Sequence, residues 1–104
     1  MAWIILVISG VLEAVWATAL GKSVGFTRAG PTAVFGVALV LSMLGLAAAM
    51  RTLPTGTAYA VWVGIGASLT VVYAMVTGTE PVTFARAVFL LLIITGIVGL
   101  KLAS

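Results

Sequence analysis

Apolar residues run almost without interruption along the chain, and the few charged positions mark where the runs stop. Between Met1 and Lys22 the only ionisable side chain is Glu13, residues 29–50 and 52–79 carry no charge, and neither do residues 87–100. A helix crossing the hydrocarbon core of a bilayer needs about 20 predominantly apolar residues. The spacing therefore predicts helices near 3–20, 32–50, 55–77 and 83–101. The fourth has the shortest uncharged run, so Arg86 and Lys101 are expected to snorkel from its ends. Residues 1–20 lack the basic start of a secretory signal and carry a carboxylate mid-run, so they read as a mature span. Turn residues fall between the runs: Gly25 to Pro31, Arg51 to Gly56, and Thr77 to Pro81. Loops this short make consecutive helices antiparallel neighbours. The expectation is one all-α integral membrane domain over residues 1–104, with no linker, low-complexity tail or internal repeat.

Composition narrows the function. Of the 104 residues 63% are hydrophobic, and five Lys/Arg oppose two Asp/Glu for a net charge of +3. A soluble domain carries roughly 25% charged residues, so this chain cannot cover a water-facing surface and does not read as a soluble enzyme. The same apolar content excludes disorder. The cations are scattered, which is no nucleic-acid footprint. With no Cys and no His, disulfides, thiolate nucleophiles, imidazole bases and the usual zinc sites all drop out. Neither a metal nor a cofactor is expected.

Orientation is poorly specified. The N-terminus, Arg51 and Lys101 fall on one side of the four predicted spans, and Lys22, Arg28 and Arg86 on the other. Lys and Arg in short loops set topology only when they are asymmetrically placed, and three against two is nearly balanced. Two readings follow: an accidental balance with one orientation still favoured, or insertion both ways to give an antiparallel, dual-topology dimer. Transporters are commonly built from inverted repeats around a midplane site, and two oppositely inserted copies would supply that symmetry.

Glu13 is the residue that invites chemistry. It lies about ten residues into the first predicted helix, at a depth where no basic side chain of this sequence can follow. An ionisable group at the bilayer centre costs roughly 2.5–3.5 kcal/mol by insertion scales and is a functional-site hypothesis by default. The competing reading is a permanently protonated Glu13 hydrogen-bonded to a neighbouring helix. Glu80, in a loop before Pro81, reads as structural because a carboxylate there favours the start of helix four.

At 100° per residue, Leu6, Ser9, Gly10, Glu13, Trp16, Ala17 and Leu20 share one face of the first helix. Phe35, Ala38, Ser42, Gly45 and Ala49 share a face of the second. On the third, Gly56, Tyr59, Trp62, Val63, Gly66, Thr70 and Tyr73 fall together. Trp3 reads as an interfacial anchor. Trp16 and Trp62 stand beside small or polar residues, which suits cavity walls, with plain packing as the alternative. A buried carboxylate flanked by aromatic faces binds a cation, each ring adding about 0.5–2 kcal/mol. Such a carboxylate can exchange a proton for that cation, the core of a proton-coupled antiporter. Two readings from other classes stand beside it: an assembly subunit whose Glu13 binds a basic residue of a larger membrane partner, and a passive channel. A channel would need a continuous polar lining, whereas these stripes are short and aromatic.

Several stretches resemble the small multidrug resistance transporter family. They are Trp3-Ile-Ile-Leu-Val-Ile-Ser-Gly-Val-Leu-Glu13-Ala-Val-Trp16, Gly25-Phe-Thr-Arg28, Leu53-Pro-Thr-Gly-Thr-Ala-Tyr59-Ala-Val-Trp62-Val-Gly-Ile-Gly66 and the ending Gly96-Ile-Val-Gly-Leu-Lys101. The resemblance runs over essentially the whole chain. It implies an antiparallel, dual-topology homodimer in the bacterial inner membrane that exports cations against protons. Glu13 of both subunits would be shared between substrate and proton, with Tyr59 and Trp62 lining the site. Gly64 and Gly66 would let helix three bend differently in the two subunits. Trp16, Ser42 and the terminal Gly-Leu-Lys101 are similar to the guanidinium-exporter subtype, in which Ser9, Gly10, Trp16 and Ser42 surround the Glu. That likeness implies guanidinium or compact substituted guanidinium as substrate, with some quaternary ammoniums second. The alternatives within the family are a broad multidrug exporter of polyaromatic and quaternary cations, and one half of a heterodimeric pair. Ser9 and Ser42 are expected to hydrogen-bond the Glu13 oxygens. Two departures from the family pattern stand out: Lys22 comes one residue late, after Gly21, and Thr70 and Tyr73 replace small apolar residues.

Overall fold

The computed structural model describes residues 1–103. Four long apolar helices, each suited by length and composition to cross a membrane, follow one another. They are α1 (Ala2–Lys22), α2 (Ala29–Ala49), α3 (Thr55–Val76) and α4 (Phe84–Ala103). Against the sequence expectation, α1 starts one residue earlier and ends two later, and α2 starts three residues earlier. Pro31 therefore stands inside the first turn of α2, where an amide hydrogen would have no intrahelical acceptor.

Local chemistry ends each helix. Ser23 stops α1 by donating its hydroxyl to the Leu20 carbonyl (2.7 Å) while accepting the Phe26 amide (3.1 Å). The chain then turns through Val24, Gly25 and Phe26, all at positive φ. Such a conformation costs a residue with a Cβ roughly 1–2 kcal/mol, so the two neighbours of Gly25 hold it under strain. At the end of α3, Gly78 adopts φ 80°, and the amides of Gly78 and Thr79 return to the carbonyls of Met75 and Ala74. That pair of bonds is a Schellman cap, which glycine makes without steric cost. The Thr83 hydroxyl accepts the Arg86 amide at the start of α4, and the Arg86 guanidinium pairs with the Glu80 carboxylate. Glu80 thus holds the third loop to α4, the structural part expected of it.

The helices form a slab of 40 × 34 × 17 Å. Helix α1 lies at its centre, packed extensively against α2 and α3, while α4 packs along α3 and contributes no buried residue. Leu6, Leu46, Ala49, Ala58, Val61 and Trp62 make the core. Small residues set the approach of the helices, as expected where lipid removes the hydrophobic drive for association. A Cβ on Gly10 would lie 2.7 Å from Ile65 Cγ2, one on Gly45 would overlap Ser9 Oγ, and one on Gly64 would lie 2.8 Å from Ile97 Cδ1. Large apolar side chains such as Ile4, Val37, Leu44, Phe89 and Leu91 point outward on all sides, which only a bilayer can solvate.

Candidate functional site

Glu13 stands eleven residues after Ala2 and nine before Lys22. At 1.5 Å per residue it lies about 16 Å from one end of α1 and about 14 Å from the other. Its side chain crosses to α3 and lies directly on Gly66. A Cβ there would overlap Oε1 and Cδ and come within 2.7 Å of Cγ. The glycine is thus the seat of the carboxyl group. Glu13 Oε1 is buried and has no hydrogen-bond partner. Among the described residues the ion pair is Glu80–Arg86, and Glu13 has no basic side chain against it.

Around it, a chain of hydrogen bonds ties three helices together. The Trp62 indole Nε1 donates to Ser42 Oγ (3.0 Å), and Ser42 Oγ donates to the Ser9 carbonyl (2.7 Å). Ser9 Oγ in turn donates to the Ile5 carbonyl (2.7 Å). Ser9, Ser42 and Trp62 are all buried. The expectation that Ser9 and Ser42 would hold the Glu13 oxygens is therefore not what the geometry gives: both hydroxyl protons are used elsewhere. The reason is local. A buried helical serine meets the carbonyl one turn behind it at almost no conformational cost, and the absent Gly45 side chain brings α2 close enough for Ser42 to reach the α1 backbone. Ser42 instead holds Trp62 in place.

The aromatic members occupy two flanks. Trp16 packs edge-on against Phe35 (centroids 6.0 Å, 77°), which in turn meets Phe26 of the first loop (5.5 Å). Trp16 Nε1 is buried without a partner. Tyr59 lies 5.8 Å from Trp62, but Trp62 is 5% exposed and Tyr59 54%. Tyr59 therefore stands at the rim of the arrangement. Gly10 faces Ile65, a contact that residue type gave no reason to single out. Gly64 and Gly66, expected as a hinge pair, sit in one continuous helix and accept different neighbours, Ile97 of α4 and Glu13 of α1.

A family model described as Small Multidrug Resistance protein matches residues 1–93. The chain belongs to the small multidrug resistance family. Curated relatives are similar over their full length. A protein of Yersinia pseudotuberculosis serotype I (strain IP32953) named Guanidinium exporter is 53% identical over the whole of both chains. One of the same name from Escherichia coli (strain K12) is 48% identical over all of this chain and 99% of its own. Another from Proteus vulgaris is 46% identical over all of both. Membership makes this a multi-pass membrane protein of a transporter family, and its apolar exterior is the lipid-facing surface of such a protein.

Proposed function

We propose that this protein is a proton-coupled antiporter that exports guanidinium and compact substituted guanidinium cations, working as an antiparallel, dual-topology homodimer in a bacterial inner membrane. Each subunit contributes one four-helix domain. The observation that carries the reading is the unpartnered carboxyl oxygen of Glu13, buried at mid-membrane with no cation of the protein's own to neutralise it. The printed name of the relatives, Guanidinium exporter, supports the choice of cation.

In this reading Glu13 holds either the substrate or a proton, never both. Guanidinium is planar and presents parallel N–H donors, which a carboxylate accepts in pairs. A quaternary ammonium has no N–H and gains only charge and ring contacts. Trp62, fixed by Ser42, and Tyr59 offer ring faces to the cation. Trp16 limits the thickness of the site, and its buried Nε1 is a donor without a partner. Ser9 and Gly10 form the close-packed floor. Gly64 and Gly66 let α3 bend between the two subunits' conformations. As a transporter the protein leaves the cation chemically unchanged; the bond made and broken is the O–H of the Glu13 carboxyl group as the proton comes and goes.

The test is current measured on solid-supported membranes carrying proteoliposomes of the purified chain. Guanidinium, a mono-alkylated guanidinium and a bulky quaternary ammonium are each applied with and without a proton gradient. Uphill guanidinium movement driven by protons is expected from the chain alone. A preference for flat polyaromatic cations would move it to the multidrug subtype. Downhill flux only would make it a channel, and no flux without a second, related chain would make it half of a heterodimer or an assembly subunit.

A further inference from the structure

A second concave surface lies on the other side of α1. At 100° per residue, the mean direction of Val11, Val15, Thr18 and Lys22 is about 160° from that of the Ser9–Glu13–Trp16 face. Together with Leu69, Val76 and Tyr73 of α3 they line a groove of about 690 Å³. Its walls are apolar along the membrane-spanning length, and its polar groups gather at one end. There Lys22 Nζ donates to the Tyr73 hydroxyl (3.0 Å) and stands 5.0 Å from the centre of its ring. Both residues are exposed.

We infer that this groove binds an anionic phospholipid, one acyl chain lying between α1 and α3 and the phosphate resting on Lys22 and Tyr73. The charge pattern selects the occupant. Lys22 is at the last residue of α1, so its ammonium is at the level where lipid phosphates lie. Three donors are available on the ammonium and one is used on Tyr73. Because Tyr73 accepts that bond, its own O–H is free to donate toward the same anion. The end of the molecule that holds Lys22 also holds Arg28, and its carboxylate, Glu80, is taken by Arg86. Pro31 and Val34 bring the first turns of α2 to the groove, and that first turn carries no acidic residue. A cation of the transported kind is repelled from this mouth, so the groove is not a second entry for substrate. A plain hydrocarbon chain would satisfy the walls and leave the ammonium unused. The inference does not depend on the transport reading; it requires only that the chain lie in a bilayer.

Native mass spectrometry of the purified chain in a neutral detergent tests it. The probes are dioleoyl phosphatidylglycerol, dioleoylglycerol (the same chains without phosphate) and glycerol phosphate (the same phosphate without chains). Phosphatidylglycerol is expected to bind about fivefold more tightly than dioleoylglycerol, the effect of one lysine at a membrane surface. Lys22→Gln, an exposed change that leaves packing intact, should reduce that ratio to about one. Val15→Trp or Leu69→Trp, filling the groove from either wall, should remove both lipid adducts while the helical circular dichroism stays. An unchanged ratio in Lys22→Gln overturns the proposal, as does full lipid binding in either folded tryptophan variant. Glycerol phosphate competing as well as the lipid would reduce the site to an ion contact and also overturn it. Loss of dimer with unchanged lipid adducts in the tryptophan variants would show that a second copy fills the groove, which overturns it too.

Discussion

Replacing Gly66 by alanine separates the function of the Glu13 seat from the stability of the helices around it. The added Cβ would stand 2.7 Å from Glu13 Cγ, where ordinary contact begins at 3.4 Å, so Cγ must move by about 0.7 Å (3.4 − 2.7). The carboxyl group beyond it must move further, because the Cβ overlaps Oε1 and Cδ outright. What yields is the flexible end of a side chain, at a rotamer cost of about 0.5–1.5 kcal/mol. Alanine gains about 1 kcal/mol over glycine in helix propensity. The two terms nearly cancel, and the variant should fold with stability within about 1 kcal/mol of the parent. Transport should not survive so well, because displacing a reacting group by about 1 Å costs on the order of a hundredfold. The assay is guanidinium-evoked current in proteoliposomes, read beside a thermal melt in the same detergent. Gly64→Ala is the internal control: its Cβ meets Ile97 on α4 and leaves Glu13 untouched, so its effect should fall on the melt. Wild-type current and apparent affinity in Gly66→Ala would refute the argument that Glu13 works from this seat. Equal loss of current and melting temperature in both variants would refute the claim that the two glycines serve different contacts.

Other outcomes follow from the same contacts. Glu13→Gln keeps the shape but neither charges nor titrates, so cation binding and proton coupling should both vanish; calorimetric titration and current measurements check this. In the parent protein, cation affinity should fall as pH falls, because protons occupy the carboxylates the cation needs, and the same titration at several pH values shows the sign. Ser42→Ala strands the buried Trp62 Nε1 and should destabilise the fold by about 1–3 kcal/mol. By freeing the Trp62 ring it should also weaken the binding of both cations, which calorimetric titration beside a thermal melt would show. Unchanged affinity for both would leave Ser42 a purely structural part. Two lysines added near the C-terminus should bias insertion to one orientation and lower the activity of that variant expressed alone, with cysteine labelling from each side as the readout. A single labelled orientation in the unmodified chain would reject the antiparallel dimer.

Much of this molecule could be read from one dimension because a bilayer imposes a one-dimensional rule. Each span must be about 20 apolar residues long, and charges and turn residues must fall between spans. The four helices, the loops that join them and the mid-membrane depth of Glu13 all follow from that rule and the 1.5 Å rise per residue. Helical periodicity also put Ser9, Glu13 and Trp16 on one face, and Ala38, Ser42 and Ala49 on another. Periodicity within a helix is silent about what stands opposite. That Gly66 receives Glu13 while Gly64 receives Ile97 depends on how far α3 is rotated between α1 and α4. Two glycines two residues apart serve different neighbours because their Cα atoms point about 160° apart around the helix. The serines show the same limit. Residue type names Ser9 and Ser42 as polar, but only the approach of α1 and α2 through Gly45 decides that their protons go to backbone carbonyls. Lys22 and Tyr73 are 51 residues apart in the chain and looked like unrelated departures from a family pattern. They meet because α1 and α3 run side by side and end at the same face, a fact that no spacing along the sequence contains.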